Sequence, residues 1–222
     1  MKHALFAILL VLAFSACSEP MAESEGEGLA PGWADGAAAT ASEVHPLLPG
    51  LDAPAFSALT REGEPFLFRP DTLSQGAILV FYRGGWCPYC NRQLAELQEI
   101  DDALVALGYD LYFLSADSPA RLSEGSLGPD LPFTLLSDNK MDVSKQYGVA
   151  YKVDQGTIDR YKKGGLDLAE EAGYAHYLLP APSVFIVDQT GKIVFQYTNP
   201  DYRVRVNNEV LLTAARVFAM TD

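Results

Sequence analysis

The chain is poor in the residues that hold metals. Its 222 residues include three cysteines and three histidines, His3, His45 and His176. A zinc site needs a second pair of soft ligands, which this set does not offer, so no metal is expected. Basic residues are also in short supply: 16 Lys and Arg stand against 29 Asp and Glu, for a net charge of -13. That balance excludes nucleic acid as a partner and leaves no basic patch for anionic lipid. No glycine-rich phosphate loop follows a strand, so no bound cofactor is expected. No internal repeat is visible. With 49% hydrophobic residues the chain has enough apolar surface for one good core, and one domain is the expectation.

What is there centres on Phe81-Tyr82-Arg83-Gly84-Gly85-Trp86-Cys87-Pro88-Tyr89-Cys90. This stretch joins a continuous apolar run, Ala77 to Tyr82, to an amphipathic one beginning near Asn91. Two cysteines separated by two residues at a strand-to-helix junction suit redox chemistry. Unpaired N–H groups and the partial positive charge of a helix start favour thiolate over thiol. A second sulfur one turn away can capture the first, once oxidised, as a disulfide. Pro88 fits the first helical turn, where its missing N–H costs nothing.

The N-terminus reads as a delivery segment. Met1-Lys2-His3 is basic, Ala4 to Phe14 is apolar but too short to span a bilayer, and Ser15-Ala16-Cys17 is small. Residues 1–16 are therefore expected to be a signal peptide. Ser15-Ala16-Cys17 resembles the lipobox of bacterial lipoproteins, with Phe14 where Leu is more usual. The resemblance implies lipidation at Cys17 and a membrane anchor facing the periplasm of a bacterial envelope. Ordinary cleavage nearby, giving a soluble exported protein, is the alternative. Residues 17–45 hold Gly, Ala, Glu, Ser and Pro with few large apolar side chains, Trp33 excepted, and read as a flexible tether.

Residues 46–222 should form the domain. Ala55 to Leu59 and Pro65 to Phe68 suggest a hairpin turning at Gly63. Ala77 to Tyr82 should be a strand buried on both faces. Leu94, Leu97, Ile100, Leu104 and Leu107 make one helix stripe ended by Gly108. Tyr109 to Ser115 reads as a strand, with Asp117-Ser118-Pro119 opening a helix. Phe133 to Leu136 suggests a short strand and Met141 to Tyr147 a short helix. Tyr151 to Leu178 reads as an insertion with some helix. Ser183 to Asp188 and Lys192 to Tyr197 should be a second hairpin, and Val210 to Met220 a closing helix. The order predicts an α/β fold with a mixed central sheet and helices on both faces.

This order, the Cys-x-x-Cys turn and the late Pro182 before a hairpin resemble the thioredoxin fold, a three-layer sandwich. Within it, the chain resembles the alkyl-hydroperoxide-reductase and thiol-specific-antioxidant group, the peroxiredoxins. Phe81 to Cys90 follows their Phe-Tyr-Pro-x-x-x-Thr-x-x-Cys pattern, with Arg83 at the proline and Cys87 at the threonine. Cys90 then falls on the peroxidatic cysteine. Cys87-Pro88-Tyr89-Cys90 also matches the glutaredoxin sequence, and in thioredoxins the first cysteine attacks. The family arginine before the Phe-Ile-Val-Asp strand is replaced by Ala181-Pro182, which looks like the thioredoxin cis-proline.

The resemblance implies a thiol peroxidase acting on hydrogen peroxide or alkyl hydroperoxides. A Cys87–Cys90 disulfide would form in the cycle, and an external thiol such as a thioredoxin-like protein would reduce it. In that reading Cys90 attacks, Cys87 resolves, and Arg83 with Arg203 or Arg205 replaces the missing arginine. Trp86, Pro88 and Pro182 support the site. Disulfide exchange attacking through Cys87 is one alternative, and a redox-inert lipoprotein with a structural disulfide another. His176 is expected to be a satisfied loop histidine, and Tyr82 and Tyr89 to line the site or pack. Tyr147, Tyr151, Tyr161, Tyr174 and Tyr177 are expected to form a partly buried surface cluster. Asp101-Asp102 should lie on the solvated side of its helix.

Overall fold

A computed structural model describes residues 36–73, 75–124 and 133–219. The signal segment, Cys17 and Trp33 lie outside them. Nine strands are described: β1 (Phe56–Thr60), β2 (Pro65–Phe68), β3 (Gly76–Tyr82), β4 (Tyr109–Ser115), β5 (Thr134–Ser137), β6 (Ala150–Lys152), β7 (Leu178–Pro180), β8 (Ser183–Val187) and β9 (Ile193–Thr198). The helices are α1 (Pro88–Gln98), α2 (Asp101–Ala106), α3 (Pro119–Glu124), α4 (Asp142–Gln146), α5 (Gln155–Lys163), α6 (Leu168–Ala172) and α7 (Asn208–Ala219). Seven strands form one mixed sheet in the order β2-β1-β5-β4-β3-β8-β9, and β6 pairs with β7 separately. β3, β4 and β5 run parallel, while β8 is antiparallel to β3.

Alternation along the central strand explains the layering. Ile78, Val80 and Tyr82 face one core, which takes Leu94 and Leu97 from α1, Leu104 from α2, and Leu211 and Ala215 from α7. Ala77, Leu79 and Phe81 face the other, with Phe56, Phe68, Phe185, and Val143 and Tyr147 at α4. A strand covered on both faces reads as an unbroken apolar run because neither side meets water. The α/β architecture expected from the pattern is present: a mixed sheet with helices on both faces.

Four expectations need correction. The single helix after the cysteines is two, α1 and α2. The N–H groups of Glu99 and Ile100 bond carbonyls three residues back, at 3.1 Å each, and that tighter turn breaks the helix before Asp101. Asp101 is buried, its carboxylate accepting the N–H of Asp102, so only Asp102 is solvated as expected. Of the five tyrosines, Tyr151, Tyr161 and Tyr177 pack partly buried against one apolar cluster as expected, and the other two do not. Tyr147 is a core residue in ring contact with Phe56, Phe81 and Phe185, Tyr174 is exposed, and Tyr161 reaches the cysteine turn.

The fourth concerns the expected tether. Residues 36–45 pack on the domain instead of leaving it. Ala37 and Ala38 are small enough to be wholly covered, and the Ala38 N–H and carbonyl bond Ala150 and Lys152 of β6 at 2.9 Å each. The His45 N–H donates to Gly148 at 3.0 Å, and a Cβ at Gly148 would collide with the His45 carbonyl, so this close approach needs glycine. The domain thus includes at least Gly36 onward, and the segment forms part of a wall beside the cysteine turn.

The insertion is ordered structure: β6 and β7 pair, and α5 and α6 lie between them. His176 is satisfied as expected, bonding the Asn139 carbonyl and the Leu178 N–H at 2.9 Å each.

Candidate active site

β3 ends at Tyr82, and Arg83 to Trp86 form the turn that delivers Cys87 to the start of α1, where it is the N-cap residue. The turn is tightly held. Cys87 N–H donates to Gly84 at 3.1 Å, Asn91 Nδ2 to Gly85 at 2.8 Å, and Gly85 N–H to the Asp117 carboxylate at 2.7 Å. Gly84 has φ +155°, and a Cβ there would strike the Asp117 carboxyl and the Trp86 indole nitrogen. That explains the glycine at position 84 in a turn that must run against a buried acid.

Both cysteines are free thiols, so the expected disulfide is not formed in this structure. Cys87 lines a cavity of about 300 Å³ with Trp86, Pro88, Tyr89, Tyr161, Leu166 and Tyr202. Cys90 is fully covered.

Arg83 is 2% exposed. Its Nη1 lies 3.9 Å from Cys87 Sγ, and its Nη2 donates to the Tyr161 hydroxyl. The guanidinium carbon is 4.8 Å from the Trp86 ring centre, 5.7 Å from that of Tyr161 and 4.2 Å from that of Tyr202. Rings of this kind attract a cation through their negative faces. Arg205 comes from the loop after β9, as expected, with Nη2 3.3 Å from Cys90 Sγ. Arg203 does not join the site: it is exposed and paired with Asp201 at 2.8 Å.

The electrostatics separate the two sulfurs. Cys87 is held down at about 6, first by a hydrogen bond from the Cys90 thiol, against the opposing effect of burial, and then by Arg83. Cys90 is pushed up, first by burial and then by its hydrogen bond to Cys87. Thiolate therefore resides on Cys87, the sulfur that meets the cavity. On this electrostatic balance the negative charge favours Cys87 in the reduced protein, and Cys90 is its covered partner.

Pro182 also departs from expectation. Among the described residues no peptide bond is cis, so Pro182 is not the thioredoxin cis-proline. It does sit at the active-site end of the sheet, since its neighbour Ser183 pairs with Phe81.

Sequence reasoning did not single out Tyr161, Tyr202 or Asp117 as site residues. Tyr161 was visible only as one of several tyrosines in an unreadable insertion. Asp117 looked like a helix opener; instead it is buried beneath the turn, and its pKa is raised to about 7, chiefly by burial.

A Cys-x-x-Cys pair at a strand-to-helix turn of a mixed sheet, with one activated thiolate, defines a thioredoxin-fold dithiol protein. Residues 49–196 match the AhpC/TSA family, and the chain belongs to that family. It is similar to peroxiredoxin Bcp of Escherichia coli (strain K12), at 35% identity over 106 residues, covering 48% of this chain and 67% of the relative. A putative peroxiredoxin of Mycobacterium tuberculosis (strain CDC 1551) is 28% identical over 153 residues, covering 69% of this chain and 86% of the relative.

Among solved structures, peroxiredoxin 6 of Arenicola marina aligns with TM-score 0.62 at 17% identity, over 77% of this chain and 72% of that one. Peroxidoxin BcpB of Mycobacterium tuberculosis aligns with TM-score 0.57 at 17% identity, over 76% and 96%. These two establish the fold. The chain is thus an oxidoreductase of the peroxiredoxin kind, a thiol-dependent peroxidase.

The buried acid gives a stability test with a defined sign. A carboxyl raised in the folded state favours folding most when protonated, so its contribution is complete below about pH 4 and is lost as pH rises through about 7. Asp117→Asn should remove that part of the pH dependence. Urea midpoints at pH 5 and pH 7 should differ less in the variant than in the wild type. Equal differences would show that Asp117 is not raised.

Proposed function

We propose that Cys87 is the sulfur that attacks the peroxide. One observation carries this: the Arg83 guanidinium and the Cys90 thiol both converge on Cys87 Sγ, and Cys87 alone of the pair lines the cavity. The thiolate attacks one peroxide oxygen, the O–O bond breaks, and the other oxygen leaves as water or alcohol once protonated. Arg83 faces the charge that moves from sulfur to the departing oxygen, where a fixed cation lowers the barrier. Cys87 becomes a sulfenic acid. The Cys90 sulfur then attacks it, water leaves with the Cys90 proton, and the Cys87–Cys90 disulfide results. Arg205, 3.3 Å from Cys90 Sγ, supports the loss of that proton. Two electrons from an external thiol restore both sulfurs.

The departure from the family pattern is then coherent. Arg83 at the proline position brings the cation, and Cys87 at the threonine position brings the nucleophile one helical turn earlier. Alkyl hydroperoxides suit the site because its cavity is walled by Trp86, Tyr89, Tyr161, Leu166 and Tyr202.

The protein is further proposed to be an exported lipoprotein anchored through Cys17, supported by the basic start, short apolar run and small residues before that cysteine. Its place would be the bacterial envelope, facing the periplasm.

Two experiments test these readings. Reduced Cys90→Ser should still react with one equivalent of peroxide and hold a sulfenic acid on Cys87 by mass spectrometry, whereas Cys87→Ser should react at least about a hundredfold more slowly. A reactive Cys87→Ser with sulfenic acid on Cys90 would reverse the assignment. For the anchor, cells fed labelled palmitate should label the wild type and not Cys17→Ser; equal labelling, or none in either, would rule it out.

A further inference from the structure

A second cavity of about 320 Å³ lies behind Arg83, sharing Arg83, Arg160, Tyr161 and Tyr202 with the one that holds Cys87. Tyr151 and Lys152 of β6 and Thr40 and Ser42 complete much of its wall. Asp154, the acidic residue of its lining, is committed to the start of α5, accepting the Thr157 N–H at 2.9 Å. The chain is acidic overall, yet this cavity's lining carries three basic side chains, Arg83, Lys152 and Arg160, against Asp154.

Arg83 itself has an unmet need. Its partners are the phenols of Tyr161 and Tyr151, three rings and the Cys87 sulfur, none of them a carboxylate, and its buried Nε has no hydrogen-bond partner among the described residues. A buried cation requires a counter-charge. In the reduced protein the Cys87 thiolate supplies it. Once the disulfide forms that charge is gone, and Arg83 is left buried without an anion. The two sulfurs are also hard to reach: with both as free thiols, Cys87 is 1% exposed and Cys90 0%. A donor sulfur must enter the cavity to attack.

We propose that the cavity behind Arg83 is a carboxylate site, filled when the disulfide is present, and that the electron donor is a small thiol bearing carboxylates. This rests on the reading above that Cys87 and Cys90 form the catalytic disulfide. The donor's carboxylate is held by Arg83 and Arg160 while its thiolate attacks Cys87 Sγ. The Cys87–Cys90 bond breaks, and Cys90 leaves as a thiolate that takes up a proton. A second donor thiolate attacks the mixed disulfide, releasing donor disulfide and the Cys87 thiolate, with two electrons transferred in all.

The test isolates the reductive half of the cycle by forming the disulfide with diamide, so no peroxide is involved. Mercaptosuccinate should reduce it at least about tenfold faster, per thiolate, than 2-mercaptoethanol, as expected for a charge-assisted contact. Succinate should slow the first reaction and not the second, and Arg160→Gln should bring the two rates together. Taking the ratio within each variant guards against general damage to the fold. Equal rates in the wild type, a ratio unchanged in Arg160→Gln, or faster reduction by a protein dithiol that succinate does not slow would each overturn the proposal. Slow peroxide oxidation beside an intact mercaptosuccinate preference would instead sink the peroxidase assignment and leave this site standing.

Discussion

The guanidinium of Arg83 is buried among Trp86, Tyr161 and Tyr202 and aimed at Cys87, and the chemistry of the protein depends on how that charge is compensated. A charge in such a place is costly unless something answers it. Aromatic faces and a phenol answer part of it, and a thiolate answers the rest. The hydrogen bond from the covered Cys90 thiol does most to favour the charge on Cys87, and the arrangement that makes Arg83 tolerable adds to it. Reactivity and stability here are two views of one electrostatic balance.

The scaffold exists to hold that balance still. Arg83 follows directly from β3, whose two faces are packed into separate cores, so its backbone has little freedom. The rings come from three places: the turn itself, α5 of the insertion, and the loop after β9. Asp117 fixes the turn from beneath, and glycine at position 84 lets the chain pass against it. Residues 36–45, through their pairing with β6, brace the wall behind Arg83.

Much of this was legible beforehand, for reasons specific to each element. β3 and β8 stand out because strands covered on both faces are continuously apolar and bounded by turn residues, and β9 because a short Gly-bearing turn joins it to β8. The Cys-x-x-Cys turn announces itself because helix starts and paired sulfurs have few other uses. Arg83 was expected near the sulfurs from its place in the motif, and one of Arg203 or Arg205 from the order of strands; Arg83 and Arg205 are there. The electrostatic difference between the two sulfurs was not legible: family position pointed to Cys90, whereas the hydrogen bond between them and the cations facing each depend on three dimensions. Nor was Tyr161, since an aromatic in an irregular insertion carries no periodic signal saying which way it faces. The apparent single helix after Cys90 misled because a 3-10 turn at Ile100 keeps the apolar spacing while breaking the axis.

The central claim is that Cys87 is a thiolate at neutral pH because Cys90 and Arg83 make it one. Its direct measurement is the rate of Cys87 carboxymethylation against pH, read by mass spectrometry at that residue in the wild type and in Arg83→Gln. The account predicts a midpoint at about 6 in the wild type, displaced upward toward the ordinary cysteine value of about 8.5 when Arg83 is neutralised. A Cys87 that titrates in the ordinary range in the wild type, or a Cys90 that ionises first, would contradict it.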